Sequence, residues 1–280
     1  ELVQEYEKNM SKAEYKAAIE KCVENIYSGE IIQVVFSQRL TKKTKASAIE
    51  IYRCLRTINP SPYMFLLNLD DFQILGASPE LLVKSSNKQL SVHPIAGTRP
   101  RGVDSEEDEK IANELINDEK ELAEHLMLLD LGRNDVGRVS MPGSVNVNQK
   151  MEIEKYSHIM HIVSNVTGTL KDELDEFDAL RAAFPAGTVS GAPKVRAMQL
   201  ISELEPEKRG PYSGGVGYFS YNGNMDTCIA IRTLVLKDET VYIQAGGGIV
   251  ADSKVENEYE ETLNKMMALI RSVDEAERNL

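Results

Sequence analysis

Residues 214–245 read GGVGYFSYNGNMDTCIAIRTLVLKDETVYIQA, and this stretch decides the class of fold. Three runs rich in β-branched and aromatic residues, Gly214–Ser220, Cys228–Leu236 and Val241–Ala245, are expected to be strands. Asn222-Gly223 marks a hairpin turn between the first two, a few residues longer than the minimal kind. Strands that follow one another without intervening helices favour a mixed, largely antiparallel α+β fold over a doubly wound sheet.

Outward from this core the same alternation of runs continues. Ala251-Asp252-Ser253 leads into a final helix over 255–273, and FPAGTVSGAPK (184–194) is a loop feeding a helix that ends near Leu204. A capped helix over Phe177–Ala183 precedes it. His158–Thr169 is strand-like, and Val139–Val147 and Met151–Tyr156 read as extended. Residues 104–131 form a long charged helical region with a break near Asn117-Asp118. Leu90–Pro94 is a short strand entering the loop IAGTRPRG, and Gln73–Leu75 and Leu81–Lys84 bracket a turn at Gly76-Ala77-Ser78-Pro79. Tyr63–Leu69 begins a strand after Asn59-Pro60-Ser61-Pro62, which stops a helix over 46–58. Glu30–Leu40 is a buried strand. Ser11 caps a helix over 11–28, with Glu14 three residues later completing a capping box. No repeat is present, and residues 1–280 are expected to form one domain.

The 280 residues carry a net charge of −12, and no basic run exceeds Lys42-Lys43. A nucleic-acid partner is therefore disfavoured, because tracking phosphates needs a basic face. Three dispersed cysteines, Cys22, Cys54 and Cys228, argue for a reducing compartment and a cytoplasmic protein. No apolar run approaches the length of a membrane span. The chain opens on Glu1 and enters a helical pattern almost at once, so it is expected to be part of a longer protein.

Four constellations could carry chemistry. Glu121 and Glu124 stand at i and i+3 on one helix, where Asp118-x-x-Glu121 could equally be a capping pair. Glu258 and Glu261 repeat the spacing, with Lys265 one turn on, where an i, i+4 salt bridge is the bland alternative. Two such pairs facing each other would suit one hard cation such as Mg²⁺. The segments 186–194, Gly97-Thr98-Arg99 and Gly246-Gly247-Gly248 are candidate anion cradles, though most Gly-rich turns are only turns. His161, in HIMHIVSN, is a candidate proton carrier or a satisfied core histidine; His158, three residues earlier, should point to the opposite strand face, and His125 should pack structurally. There is no HExxH, GxSxG or zinc spacing.

In one order, PIAGTRPRG, KELAEHLMLLDLGRND, FPAGTVSGAPK, YSGGVGYF, DTCIAIRT and QAGGG…E-x-x-ET-x-NK together resemble the chorismate-utilising enzymes, over nearly the whole chain from residue 11. The resemblance implies an α+β fold of two large antiparallel sheets packed together with helices outside. It implies Glu124 and Glu261 as Mg²⁺ ligands, with Glu121 and Glu258 acting through water. Thr188, Gly246, Gly248 and Lys265 match positions near the ring carboxylate or the metal. Tyr212 and Arg232 match residues that grip the enolpyruvyl carboxylate, and Gly97 and Thr98 line the pocket. His161 matches the family histidine near the departing groups, and Glu80, in GASPE, a further pocket carboxylate. Pro60, Tyr63, Met64, Val216 and Tyr218 match a tryptophan feedback site, part of which lies in an N-terminal region of the family that these residues do not include.

Three positions separate the branches. Gln33 stands where water-adding members carry a lysine base, and His93 where they carry a glutamate acid. Ala96 stands where many aminodeoxychorismate synthases carry a lysine nucleophile, and Ala forms no covalent adduct. The resemblance thus implies the anthranilate-forming branch: chorismate as substrate, ammonia as nucleophile, pyruvate as leaving product and a glutamine amidotransferase subunit as the ammonia source. The alternatives are the aminodeoxychorismate, isochorismate or salicylate branches, or a non-catalytic portion that binds chorismate or tryptophan.

Overall fold

The structure is a computed structural model that describes residues 2–155 and 159–279. Tyr156 and His158, assigned to strands from sequence, lie outside the described residues. In chain order the elements are β1 (Glu7–Lys8), α1 (Lys12–Tyr27), β2 (Gln33–Lys43), α2 (Ala48–Ile58), β3 (Tyr63–Asn68), β4 (Gln73–Ser78) and β5 (Leu81–Ser86). Next come β6 (Gln89–Val92), β7 (Ile95–Pro100), α3 (Ser105–Ile116), α4 (Glu119–Val139), β8 (Asn146–Lys155), β9 (Ile159–Thr169) and α5 (Glu176–Ala183). The chain closes with β10 (Gly191–Ala192), α6 (Lys194–Leu204), β11 (Gly215–Phe219), β12 (Met225–Ile229), β13 (Thr233–Lys237), β14 (Thr240–Ile249) and α7 (Val255–Arg278).

The elements form two antiparallel sheets with helices, as expected, and the chain divides into two compact units. The first unit holds residues 1–80, 188–216 and 228–280, and the second 81–187 and 217–227.

The first unit's sheet runs β1-β2-β14-β13-β4-β3, with β10 beside β2. Strand alternation sends Val34, Phe36, Leu40, Leu75, Leu234, Ile243 and Ile249 to one face, where they are buried against helices. Ile51 and Leu55 of α2 with Met266, Leu269 and Ile270 of α7 fill one cluster there. Tyr15 and Ile19 of α1, Ala197 and Leu200 of α6 and Tyr259 of α7 fill the other. The Ser11–Glu14 capping box starts α1 as its sequence requires. The other face carries polar groups, including Ser37, Arg39 and Gln244.

The second unit's sheet runs β11-β12-β5-β6-β9-β7, with β8 also on β9. Its helices α3 and α4 pack through Leu115 and Leu122 against Met160, Ile162 and Ile153. Asp118 breaks the helical region as expected: its carboxylate accepts from the N–H groups of Lys120 and Glu121 and restarts the chain as α4.

Several expectations need correction. Cys228–Leu236 is not one strand: β12 ends at Ile229, Arg232 takes φ of 50°, and β13 starts in the other sheet. A residue in the left-handed region cannot continue a strand, because its own backbone is not extended. IAGTRPRG is not a loop, since its first six residues form β7 with a bulge at Gly97. Gly76–Ser78 is strand rather than turn, because Gly76 pairs with both Phe65 and Thr233 and its missing side chain leaves room for theirs. Residues 139–145 do not form a strand: α4 continues through Val139, and pairing resumes at Asn146.

Candidate active site

In the first unit, seven residues singled out from sequence converge at the Gly246 end of β14. Lys265 of α7 donates through Nζ to the Gly246 carbonyl at 3.0 Å and pairs with Glu261 Oε1 at 2.6 Å. Arg232, held by its φ of 50°, donates through Nη1 to the Lys265 carbonyl at 2.7 Å. Its guanidinium feels the charge of Glu261, while burial lowers its pKa from the ordinary value. The buried Tyr212 hydroxyl would stand 2.9 Å from a Cβ on Gly246, so that glycine is bare to let the phenol in. Burial pushes the Tyr212 phenol up to about 12, so it is a neutral donor at physiological pH.

Glu80 closes the group. Burial pushes its carboxyl up to about 7, against the opposing pull of the Thr188 hydroxyl and the Lys265 ammonium. Thr188 Oγ1 is buried near enough to exert that pull, yet makes no hydrogen bond of good geometry among the described residues. A carboxyl poised between its two protonation states at neutral pH is what proton transfer requires.

The triglycine run is the end of β14, not a loop, and it pairs with Ser37, Phe36 and Val35 of β2. A Cβ on Gly247 would stand 3.2 Å from Glu258 Oε2, and one on Gly248 would collide with the Gln33 amide. Glu258 and Gln33 thus reach opposite faces of the same bare strand segment.

In the second unit, β7, β9 and α4 bring Gly97, Thr98, His161 and Glu121 together. His161 Nδ1 lies 3.1 Å from the Gly97 carbonyl and 3.0 Å from Thr98 Oγ1. A carbonyl only accepts, so the neutral ring carries its proton on Nδ1 and its lone pair on Nε2. Gly97, at φ of 65°, would place a Cβ 3.1 Å from Glu121 Oε2, and Arg99 Nη1 donates to Glu121 Oε1 at 3.0 Å. Glu124 lies one turn along α4, half-buried. His125 is fully buried against Ser164, a structural residue as expected, with burial holding its pKa down to about 4.

The remaining residues are placed as follows. Pro60 is exposed between α2 and β3, Tyr63 and Met64 open β3, and Met64 packs against the core. Val216 and Tyr218 sit in β11, with Tyr218 61% exposed. His93 contacts Ser91 through Nε2, and burial lowers its pKa from the ordinary value. Ala96 is buried beside the bulge.

Among the described residues no group of three or more His, Cys, Asp or Glu stands together as a ready-made metal cage. The donor set still fits Mg²⁺, which takes hard oxygen ligands from one or two carboxylates and completes its shell with water and substrate. Each unit carries a glutamate pair of that chemistry, and Glu258 is cradled where Gly247 leaves space. Sequence reading missed Arg209 and Glu205, which lie beneath the Tyr212 cluster. Their i, i+4 spacing was visible, but nothing in the residue types marked the pair as buried.

A burial-shifted carboxyl beside a lysine, with a neutral phenol and an arginine in the same cluster, has the chemistry to hold a small anion and to exchange a proton. The chain matches the family model described as chorismate binding enzyme over residues 2–271, and it belongs to that family. It is 57% identical over 274 residues to a protein of Cereibacter sphaeroides named anthranilate synthase component 1, covering 98% of this chain and 55% of the relative. The crystal structure of anthranilate synthase component I from Streptococcus pneumoniae superposes with a TM-score of 0.89 at 46% identity, covering 95% of this chain and 59% of that one. The menaquinone-specific isochorismate synthase of Escherichia coli, at 24% identity and a TM-score of 0.87 over 96% of this chain and 62% of that one, shares the fold. The chain spans about half the length of the curated relatives it matches. No helix among the described residues is long and apolar enough to cross a membrane.

Proposed function

We propose that the chain is the chorismate-binding catalytic portion of an anthranilate synthase, a lyase that aminates chorismate with ammonia and eliminates pyruvate. The observation that carries this reading is the meeting of Glu80, Thr188, Tyr212, Arg232 and Lys265 around the bare end of β14. Arg232 and Tyr212 bind the enolpyruvyl carboxylate by charge and hydrogen bonding. Lys265, Thr188 and the Gly246 and Gly248 backbone receive the ring carboxylate. Glu124 and Glu261, with Glu121 and Glu258 acting through water, would hold Mg²⁺, which would supply Lewis-acid polarisation.

The proton inventory closes on the chain's own groups. Neutral Glu80 donates its proton to the departing ring hydroxyl, which leaves as water while ammonia bonds to the ring carbon beside the carboxylate. The Glu80 carboxylate then takes a proton from the new ammonium group and is neutral again. His161 Nε2 removes the hydrogen from that ring carbon. The electrons form the aromatic ring, the bond to the enolpyruvyl oxygen breaks, and His161 returns the proton to the methylene carbon, giving pyruvate. Gly97 and Thr98 hold Nδ1 and so keep Nε2 as the base.

Gln33, a neutral amide at Gly248, cannot activate water, and Ala96 cannot form a covalent adduct, so amination by free ammonia is the branch these residues support. A glutamine amidotransferase subunit supplies that ammonia, and tryptophan acts as feedback inhibitor at a site that includes Pro60, Tyr63, Met64, Val216 and Tyr218. The test is incubation with chorismate, Mg²⁺ and ammonium, with anthranilate read by fluorescence. Salicylate, isochorismate or aminodeoxychorismate as end product would reassign the branch, and calorimetric binding of chorismate without turnover would make the chain a binding portion. Glu124→Gln and Glu261→Gln are each expected to abolish Mg²⁺-dependent turnover with the fold kept; full activity in both would remove the metal assignment.

A further inference from the structure

Beneath the Tyr212 cluster lies a buried ion pair that the proposed chemistry does not use. Arg209 and Glu205 have side chains 13% and 4% exposed. Their contact is a two-pronged fork, with Nε donating to Oε2 at 2.9 Å and Nη2 to Oε1 at 2.6 Å. Nη1 also donates to the Val189 carbonyl at 2.7 Å and, more weakly, to Ser213 Oγ at 3.5 Å, and Nη2 to the Val35 carbonyl at 2.6 Å. The face of the guanidinium lies 5.3 Å from the centre of the Tyr212 ring, a cation–π contact. Glu205 in turn accepts from both the N–H and the hydroxyl of Ser37, at 2.9 and 2.7 Å.

These partners are not scattered. Val189 follows Thr188, Val35 and Ser37 pair with Gly248 and Gly246 across the sheet, and Tyr212 is itself a candidate substrate-binding residue. One guanidinium therefore touches the residue after Thr188, the tyrosine ring and β2, the strand on which the triglycine segment is paired. A lysine could not do this, because its three donors radiate from a point and it has no flat face to lay on a ring. A buried charge pair is also costly to desolvate and is weak evidence of stabilisation in itself. What the planar fork supplies here is geometry.

We propose that Arg209 is a positioning residue for chorismate binding: held flat by Glu205, it fixes Thr188, Tyr212 and the Gly246–Gly248 strand relative to one another. This rests on the chorismate reading above. Arg209 reaches the reacting atoms only through these neighbours.

The test uses Arg209→Lys and Arg209→Met in the whole chain, with hydrogen exchange on the ligand-free protein and steady-state kinetics at saturating ammonium and Mg²⁺. Arg209→Lys keeps a charge for Glu205 and is expected to fold. It should speed exchange in residues 186–192, 209–216 and 244–249 together, raise KM for chorismate about tenfold and change kcat less than threefold. Arg209→Met should raise KM further; if it does not fold, the lysine variant decides alone. Loosening confined to one segment, an unchanged KM, or a fall in kcat with KM kept would overturn the positioning role. A wild-type chain that neither binds nor turns over chorismate would sink the chorismate reading, whereas an active wild type with an indifferent lysine variant sinks only this proposal.

Discussion

The two clusters of candidate residues are built in opposite ways. In the first unit, Glu80, Thr188, Tyr212, Arg232, Gly246 and Lys265 arrive from distant parts of the chain onto one strand end, over a buried Arg209–Glu205 pair. In the second, Gly97, Thr98 and Arg99 come from one strand, His161 from its neighbour and Glu121 from the helix resting on both. In the first cluster burial pushes the Glu80 carboxyl up from its ordinary value to about 7. The second is held by half-exposed contacts, with the Arg99 side chain 35% exposed. Burial tunes proton affinity in one; local geometry selects a tautomer in the other.

Substitutions can break this contrast, in decreasing order of effect. Glu80→Gln keeps the shape and removes the proton, so kcat for chorismate consumption should fall about 10²- to 10⁴-fold. The wild-type profile should match: the donor is the neutral carboxyl, about half populated near pH 7, so the rate should decline above that pH. A Glu80→Gln enzyme that keeps both rate and profile would remove Glu80 from the chemistry. His161→Ala should slow pyruvate release about 10²-fold while chorismate is still consumed, so an aminated intermediate should accumulate in chromatograms. Pyruvate appearing as fast as chorismate disappears would reject the proton-carrier role.

Smaller effects sharpen the comparison on the second unit's side. Asp108 is buried by surface area and accepts from Arg101 at 2.7 and 2.9 Å and from the Gly102 N–H at 3.0 Å, with Lys155 Nζ at 2.8 Å. Arg101 first and Lys155 second hold its carboxyl well below the usual range. A depressed folded pKa contributes in full at pH values above the unfolded one, near 3.9; the contribution shrinks as pH falls below that value and is lost as pH falls through the folded pKa. Asp108→Asn should therefore lower the melting temperature clearly at pH 7 and by steadily less as pH falls from about 4 toward the depressed folded value; a loss that does not change with pH would show that packing, not charge, is at work. Arg99→Met should cost about 1 kcal/mol or less, because its pairs with Asp118 and Glu121 are about one-third exposed. A larger loss would mean that the contact is shielded after all.

Local signals survived translation into structure, and long-range ones did not. Ser11 with Glu14, Asp118 and the Phe177–Ala183 helix were legible because capping and periodicity act within a few residues. The break at Arg232 was not, because no rule based on residue type puts an arginine at φ of 50°. The strand at Ile95–Pro100 hid behind Gly, Thr and Pro, which usually signal loops, and only its pairing with Ile159–Val163 makes it a strand. The site residues were read mainly through family resemblance. The Glu261–Lys265 pair was legible from spacing as a salt bridge, and the structure contains that contact beside its place in the cluster. Glu205 and Arg209 went unread because burial, which gives them their role, is a property of the folded unit.

Gly246, Gly247 and Gly248 stand inside a ten-residue strand with every one of them paired. Their bareness therefore serves occupancy rather than bending: the volume that side chains would fill is taken by the Tyr212 phenol and the Gln33 amide on one side and the Glu258 carboxylate on the other. For anyone redesigning this scaffold to use a different nucleophile, the floor at 246–248 is best left untouched, and randomisation belongs at 33, 93 and 96.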